Sequence, residues 1–266
     1  MSTYFSFFRM RFLTLIQYRA AAAAGLATQW VFGMMRVLVL WAFYASSDAG
    51  QPMSFAQTAS YVWIGQAMLG TLPWNEDAEI MSSVLTGQVA YELTRPLDVY
   101  SMWFARTLAL RTAPTILRAV PQFIIALFLV PAPYGMTAPA LLALLAWIPA
   151  MLCGVVLAAS VTNLVHVAVL WMTRGEGLRR FMPVLVMVLS GMIVPLRLLP
   201  DWVQTVARLQ PFAGVMDLPS QLFCGSLAPG NVVWIVGAQL FWTAAFVLAG
   251  RAMASRGISR VAVAGG

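Results

Sequence analysis

Residues 136–173, MTAPALLALLAWIPAMLCGVVLAASVTNLVHVAVLWMT, form a run of 38 positions without an Asp, Glu, Arg or Lys. A helix of about 20 apolar residues crosses the hydrocarbon core of a bilayer, and a water-facing surface cannot be made from such a run. The stretch is long for one crossing and short for two crossings with a loop, so it reads as one long span, 137–165, with an extension beyond it. The whole chain agrees. Of its 266 residues 61% are hydrophobic and only 9% are charged, against roughly 25% charged in an ordinary soluble domain. The expected fold class is an all-α integral membrane protein.

Working outward, five further apolar segments complete six transmembrane helices: 20–45, 55–74, 111–130, 181–198 and 231–250, within a single transmembrane domain over 1–266. Residues 1–19 differ in kind. Tyr4, Phe5, Phe8, Phe12, Leu15 and Ile16 share one helical arc, Ser6, Thr14 and Gln17 the other, and Arg9 and Arg11 sit at the borders. That pattern predicts an N-terminal interfacial helix and no cleaved signal peptide.

The 16 basic residues are all Arg, and they orient the chain. With the N-terminus inside, the inner segments hold Arg9, Arg11, Arg19, Arg95, Arg106, Arg111, Arg174, Arg179, Arg180, Arg251, Arg256 and Arg260. Only Arg197 and Arg208 lie outside, and Arg36 and Arg118 fall within spans. This bias predicts a multi-pass protein with both termini cytoplasmic. The net charge of +7 is spread singly between apolar runs, so the expected partner is membrane lipid and not nucleic acid. No internal repeat relates the two halves.

Little in the inventory suggests catalysis in the membrane. Cys153 and Cys224 have neither disulfide nor metal-ligand spacing, His166 is the single histidine, and no HExxH occurs. The nine acids (Asp48, Glu76, Asp77, Glu79, Glu92, Asp98, Glu176, Asp201 and Asp217) fall in loops or at span edges. A polytopic membrane enzyme, or an assembly subunit without a pathway, stays as the alternative to transport.

Three segments carry the functional expectations. In the cytoplasmic segment 75–100, Asn75 is placed to cap a helix whose first turn holds Glu76, Asp77 and Glu79, and Gly87 to stop it, with GQVAYELTRPLDVY extended up to Pro96. This is either a docking segment for a soluble partner or a solvated connector. The outer segment 199–230 contains an amphipathic helix bracketed by Pro200 and Pro211, with Trp202, Val203, Val206 and Leu209 on its apolar face. It is too apolar to stand free in water and is expected to re-enter the outer leaflet or meet a partner subunit. In the first span, Gln29, Gly33 and Arg36 form a stripe at i, i+4 and i+7, with Arg36 near the midplane and no intramembrane acid to pair with it. Arg118, about seven residues or ~10 Å inside the inner boundary, is expected to reach the headgroups. Met187 and Met192, at helical spacing with Met182, either line a pliable cavity or pack.

The order of these parts resembles the permease subunits of bacterial type-2 ABC exporters (ABC-2, or type V exporters). Gly87, Leu93, Arg95 and Pro96 match that family's inner motif. Gly191, Pro195, Leu199, Pro200, Trp202, Pro211 and Phe212 match its outer one, with Gln210 standing where the family often has Asn. The resemblance implies a bacterial inner-membrane permease that pairs with a second permease, identical or homologous, and binds two separately encoded ABC ATPase subunits. Cofactors would be none on this chain, which has no GxxxxGK[ST]; ATP and Mg would sit in the partner subunits. The coupling role would fall to Glu76, Asp77, Glu79, Thr86, Gly87, Arg95 and Pro96. An export pathway along Gln29, Gly33, Arg36, Met187 and Met192 would suit an amphipathic or lipophilic substrate.

Overall fold

In the computed structural model, residues 2–46, 50–172 and 176–264 are described; Asp48 and Arg174 lie outside them. Among the described residues the regular elements are all helical. Four stretches are long and apolar enough to cross a membrane: Arg19–Ser46, Val99–Leu129, Leu141–Val169 and Pro229–Gly257.

The first of them is helix α2 (Arg19–Ser46), which follows α1 (Ser2–Ile16) after a two-residue break. Next comes α3 (Phe55–Ala67), opened by a reciprocal capping box between Ser54 and Gln57. Its 13 residues rise only about 20 Å, and every residue from Thr58 to Ala67 is buried. The 55–74 segment is therefore a short core helix followed by a 3-10 turn, Leu69–Thr71.

Two small helices, α4 (Ala78–Leu85) and α5 (Val89–Leu93), lead into α6 (Val99–Ile124). Because Asp98 caps α6 and the α-helix continues to Ile124, the helix expected over 111–130 begins at Val99. It carries Pro114 and Pro121 and ends in a π-helical turn, Ile125–Leu129, just before Pro131. Helix α7 (Leu141–Val169) is the spine of the fold, packed against α6 and the C-terminal helices.

Helix α8 (Glu176–Leu189) stops short of the expected 181–198 span. Gly191 takes φ 76°, a left-handed conformation that closes the helix, and the chain re-forms only as a 3-10 turn, Leu196–Leu198. Helices α9 (Asp201–Leu209), α10 (Pro211–Val215) and α11 (Asp217–Phe223) follow, and α12 (Val232–Ala264) packs along α7. Helix α1 lies on α6 through Tyr4, Phe7, Phe8, Arg11 and Phe12. Its half-buried stripe keeps Tyr4, Phe8, Phe12, Leu15 and Ile16 of the expected arc and adds Phe7 and Arg11, while Phe5 is 64% exposed.

Candidate functional site

At the α4 end, the three acids expected at a docking surface are all engaged by arginines of the same chain, with Asp77 buried, Glu76 half-buried and Glu79 exposed. Asp77, not Asn75, caps α4: its Oδ1 accepts from the Glu79 and Ile80 amides. The same oxygen takes Arg11 at 3.0 Å and Arg106 at 3.5 Å, and Glu79 is held by Arg11 and Arg106 at 2.5 and 2.7 Å. Glu76 pairs with Arg179 of α8. The Asp77 amide donates to Nε2 of the buried His166 at 2.9 Å, which makes that nitrogen the acceptor and puts the ring proton on Nδ1, facing the Thr107 hydroxyl. His166 is therefore a structural anchor for α4.

Arg111, read from sequence only as an inner boundary marker, is 1% exposed. Its guanidinium donates to the Leu72 carbonyl and to both the carbonyl and side-chain oxygens of Asn75, joining α6 to the turn before α4. What the α4 end leaves on its surface is the tip beyond the ion pairs. Leu85 is 46% exposed and Tyr91 77%, and Thr86, Gly87, Arg95 and Pro96 are exposed with them. Gly87 takes φ 76° past the α4 cap, and residues 89–93 form α5 where extended chain was expected. The Thr94, Arg95 and Leu97 bonds then close a turn through Pro96.

Between α2, α3, α6 and α8 lies a cavity of about 410 Å³. Gln29, Arg36, Met187 and Met192 all line it, joined by Phe32, Trp74 and Arg118. Arg36 Nη1 donates to the Met192 carbonyl at 2.7 Å, so its partner is a backbone oxygen on the same chain. Gly33 does not line the cavity. A Cβ there would stand 2.8 Å from the Trp63 ring and 3.0 Å from Gln66, so the glycine permits close packing of α2 on α3. The Arg118 guanidinium lies against Gly25 and lines the same cavity. Among the described residues it has no ion pair or hydrogen bond.

At the α9 end, the outer motif closes around Asp217, which is fully buried. Tyr61 donates to its Oδ1 at 2.6 Å, the Leu196 amide to the same oxygen at 3.1 Å, and Gln221 Nε2 to Oδ2 at 2.6 Å. Burial pushes the Asp217 carboxyl up to about 6, while these hydrogen bonds and the Arg208 charge pull it down. Gly191 belongs here because a Cβ would meet the Tyr61 hydroxyl at 2.4 Å and Asp217 Oδ1 at 2.7 Å. Pro195 precedes the 3-10 turn, Pro200 starts α9, and Pro211 opens α10 with Phe212 buried behind it.

Gln210 serves as the α10 cap. Its Oε1 accepts from the Phe212 amide, and its Nε2 reaches the Leu189 and Ala207 carbonyls, so the turn where the resembling family often has Asn is fully bonded. Trp202 stays apart, 76% exposed with Val206 and Leu209 on an uncovered apolar face. Sequence reasoning did not single out Asp217, Tyr61 or Arg111 as functional residues. The available signal was a lone acid or base inside an otherwise apolar run, which must find a partner when buried.

The family model described as ABC-2 family transporter protein matches residues 31–265. No curated protein matches the chain.

Proposed function

The chain belongs to the ABC-2 family of transporter proteins, and we propose that it is the permease subunit of an ATP-driven exporter. Family membership makes it a membrane transport component that works with ABC ATPase components. In our reading, α3 with its 3-10 turn and α8 with the chain to Leu198 complete six crossings, while α1 lies in the inner interface. Both termini face the cytoplasm of a bacterial inner membrane. Two such permeases, identical or homologous, carry two separate ATPase subunits that hold ATP and Mg, and the substrate is amphipathic or lipophilic.

The observation that carries this reading is the cavity: Gln29, Arg36, Met187 and Met192, drawn from α2, α8 and the turn after α8, converge on one polar-and-apolar space. The test is co-expression with the ABC ATPase encoded beside it. The purified chain alone is expected to hydrolyse no ATP, and the co-purified complex to hydrolyse ATP and drive export from inverted vesicles. Failure of any such ATPase to co-purify would overturn the reading.

The α4 tip refines the coupling role. Glu76, Asp77 and Glu79 are committed to Arg179, Arg11 and Arg106, so reversing them would set like charges together and loosen the fold. The surface available to an ATPase is Leu85, Thr86, Gly87, Tyr91, Arg95 and Pro96. Replacing Leu85 and Tyr91 together by Asp is expected to cut ATPase capture about tenfold or more, as loss of two apolar anchors should, with the unfolding midpoint unchanged. Undiminished capture would remove the tip from this role.

Orientation has its own test, in a background where Cys153 and Cys224 are replaced by Ala. Single cysteines near Arg9, Thr86 and Arg256 are expected to resist an impermeant external thiol reagent in intact cells, and one near Gly230 to react. Labelling at Thr86 would invert the assignment.

A further inference from the structure

We propose, resting on the exporter reading, that the cavity between α2, α3, α6 and α8 binds an anionic amphiphile, with Arg36 and Arg118 as two successive stations for its charged headgroup. The argument starts from charge. Two guanidiniums face one cavity of about 410 Å³, and no carboxylate is among the described residues that line it. Arg36 has a single bond to the Met192 carbonyl, and Arg118 has none. Unpaired cations in a membrane domain are costly, and no ion pair within the described chain relieves either one. A counter-charge supplied by a ligand would offset that cost, whereas a cationic or neutral ligand would leave it standing.

The geometry suits a headgroup with an apolar body. The Arg118 guanidinium lies at Gly25, which is 11 residues before Arg36 on α2, or about 16 Å along the helix. Phe32, Trp74, Met187 and Met192 supply the apolar walls between and around these points. Gln29, 4% exposed, leaves its Oε1 without a donor, an acceptor free for a ligand hydroxyl. A planar guanidinium grips phosphate, sulfate or carboxylate oxygens through paired N–H groups. The ligand class is therefore an oxyanion on an acyl or similar chain, whether a membrane lipid or a cargo molecule.

The test uses the purified full-length chain in a non-ionic maltoside, without ATPase, so that binding is read independently of export. Dodecyl phosphate, dodecylphosphocholine and inorganic phosphate are titrated by calorimetry. Dodecyl phosphate is expected to bind at least about tenfold tighter than the zwitterion. Arg118→Gln, which breaks no bond within the described chain, should remove most of that preference, and Arg118→Lys should keep part of it. The Arg36→Gln, Arg118→Gln double variant should abolish it, with Arg118→Gln alone guarding against misfolding from the lost Met192 contact. Equal affinity for phosphate and phosphocholine heads, or a preference that survives Arg118→Gln, overturns the site. Inorganic phosphate binding as tightly as dodecyl phosphate overturns the amphiphile assignment. Displacement of dodecyl phosphate in nanodiscs by phosphatidylglycerol, but not phosphatidylcholine, supports the site and identifies a resident lipid as its source. Absence of that displacement, with dodecyl phosphate still bound, supports it with cargo as the source. Loss of binding with ATPase capture intact would defeat this inference while leaving the exporter reading standing.

Discussion

Arg111→Met is expected to detach the α4 end from the bundle. The guanidinium, 1% exposed, donates to the Leu72 carbonyl and to two oxygens of Asn75, and methionine fills similar volume while donating nothing. The buried Leu72 carbonyl then loses its charged donor outright, while the two oxygens of the exposed Asn75 lose theirs beside solvent, at a cost of about 2 kcal/mol or more. The consequence reaches function because those acceptors lie in the turn that positions α4 and its exposed tip. Purified Arg111→Met should unfold several degrees below the wild type, and its ATPase capture should fall even where the bundle survives. Arg111→Lys, a point donor unable to reach all three oxygens, should fall between. An unchanged midpoint with normal capture would mean that the Asp77 to His166 bond alone holds the turn.

The second large effect is expected at the opposite closure. Asp217→Ala strands the Leu196 amide and the Gln221 amide in a fully buried pocket and leaves the Tyr61 hydroxyl only the Gly191 carbonyl at 3.1 Å, at about 2 kcal/mol or more. Asp217→Asn should be far milder. The new side-chain oxygen still accepts from Tyr61 and Leu196, and Gln221 can turn its unpaired Oε1 toward the new amide. Thermal unfolding of both variants checks this, and equal losses would show that charge, not bonding, matters here. The pH dependence has a definite sign. The folded carboxyl, at about 6, lies above its ordinary 3.8, so it adds stability below 3.8 that is lost as the pH rises through 6. The wild type should therefore lose ground to Asp217→Asn between about pH 4 and about pH 7.

Much of the architecture could be read residue by residue. The uncharged run over 136–173 yields α7, and the apolar stretches yield α2, α6 and α12, because crossing a bilayer depends on a sum over chain neighbours. Gly87 was legible as a stop because a left-handed residue after a helix favours glycine, whereas Gly191 was hidden inside the apolar run expected as a span. The cavity residues Gln29 and Arg36 stood out because polar groups inside an apolar run are rare enough to notice. Helix limits were less legible: α6 runs back to Val99, and α8 stops at Leu189, since caps and turns decide ends that hydropathy only brackets.

By itself, then, the sequence determined the membrane class, the four long apolar helices and the resemblance that family membership later matched. Those are properties of composition and of spacing along the chain, which hold before any two helices touch. Only the tertiary structure decided where each isolated charge goes. It turned the acids of α4 toward Arg11, Arg106 and Arg179, folded the outer motif around Asp217, and set Arg118 into the same cavity as Arg36. The partners are far apart in sequence: Arg36 and the Met192 carbonyl are separated by 156 residues, as are Tyr61 and Asp217. Such pairs form because a buried polar group must be satisfied by whichever neighbour helix packing brings within about 3 Å, and spacing along one helix carries no record of that neighbour.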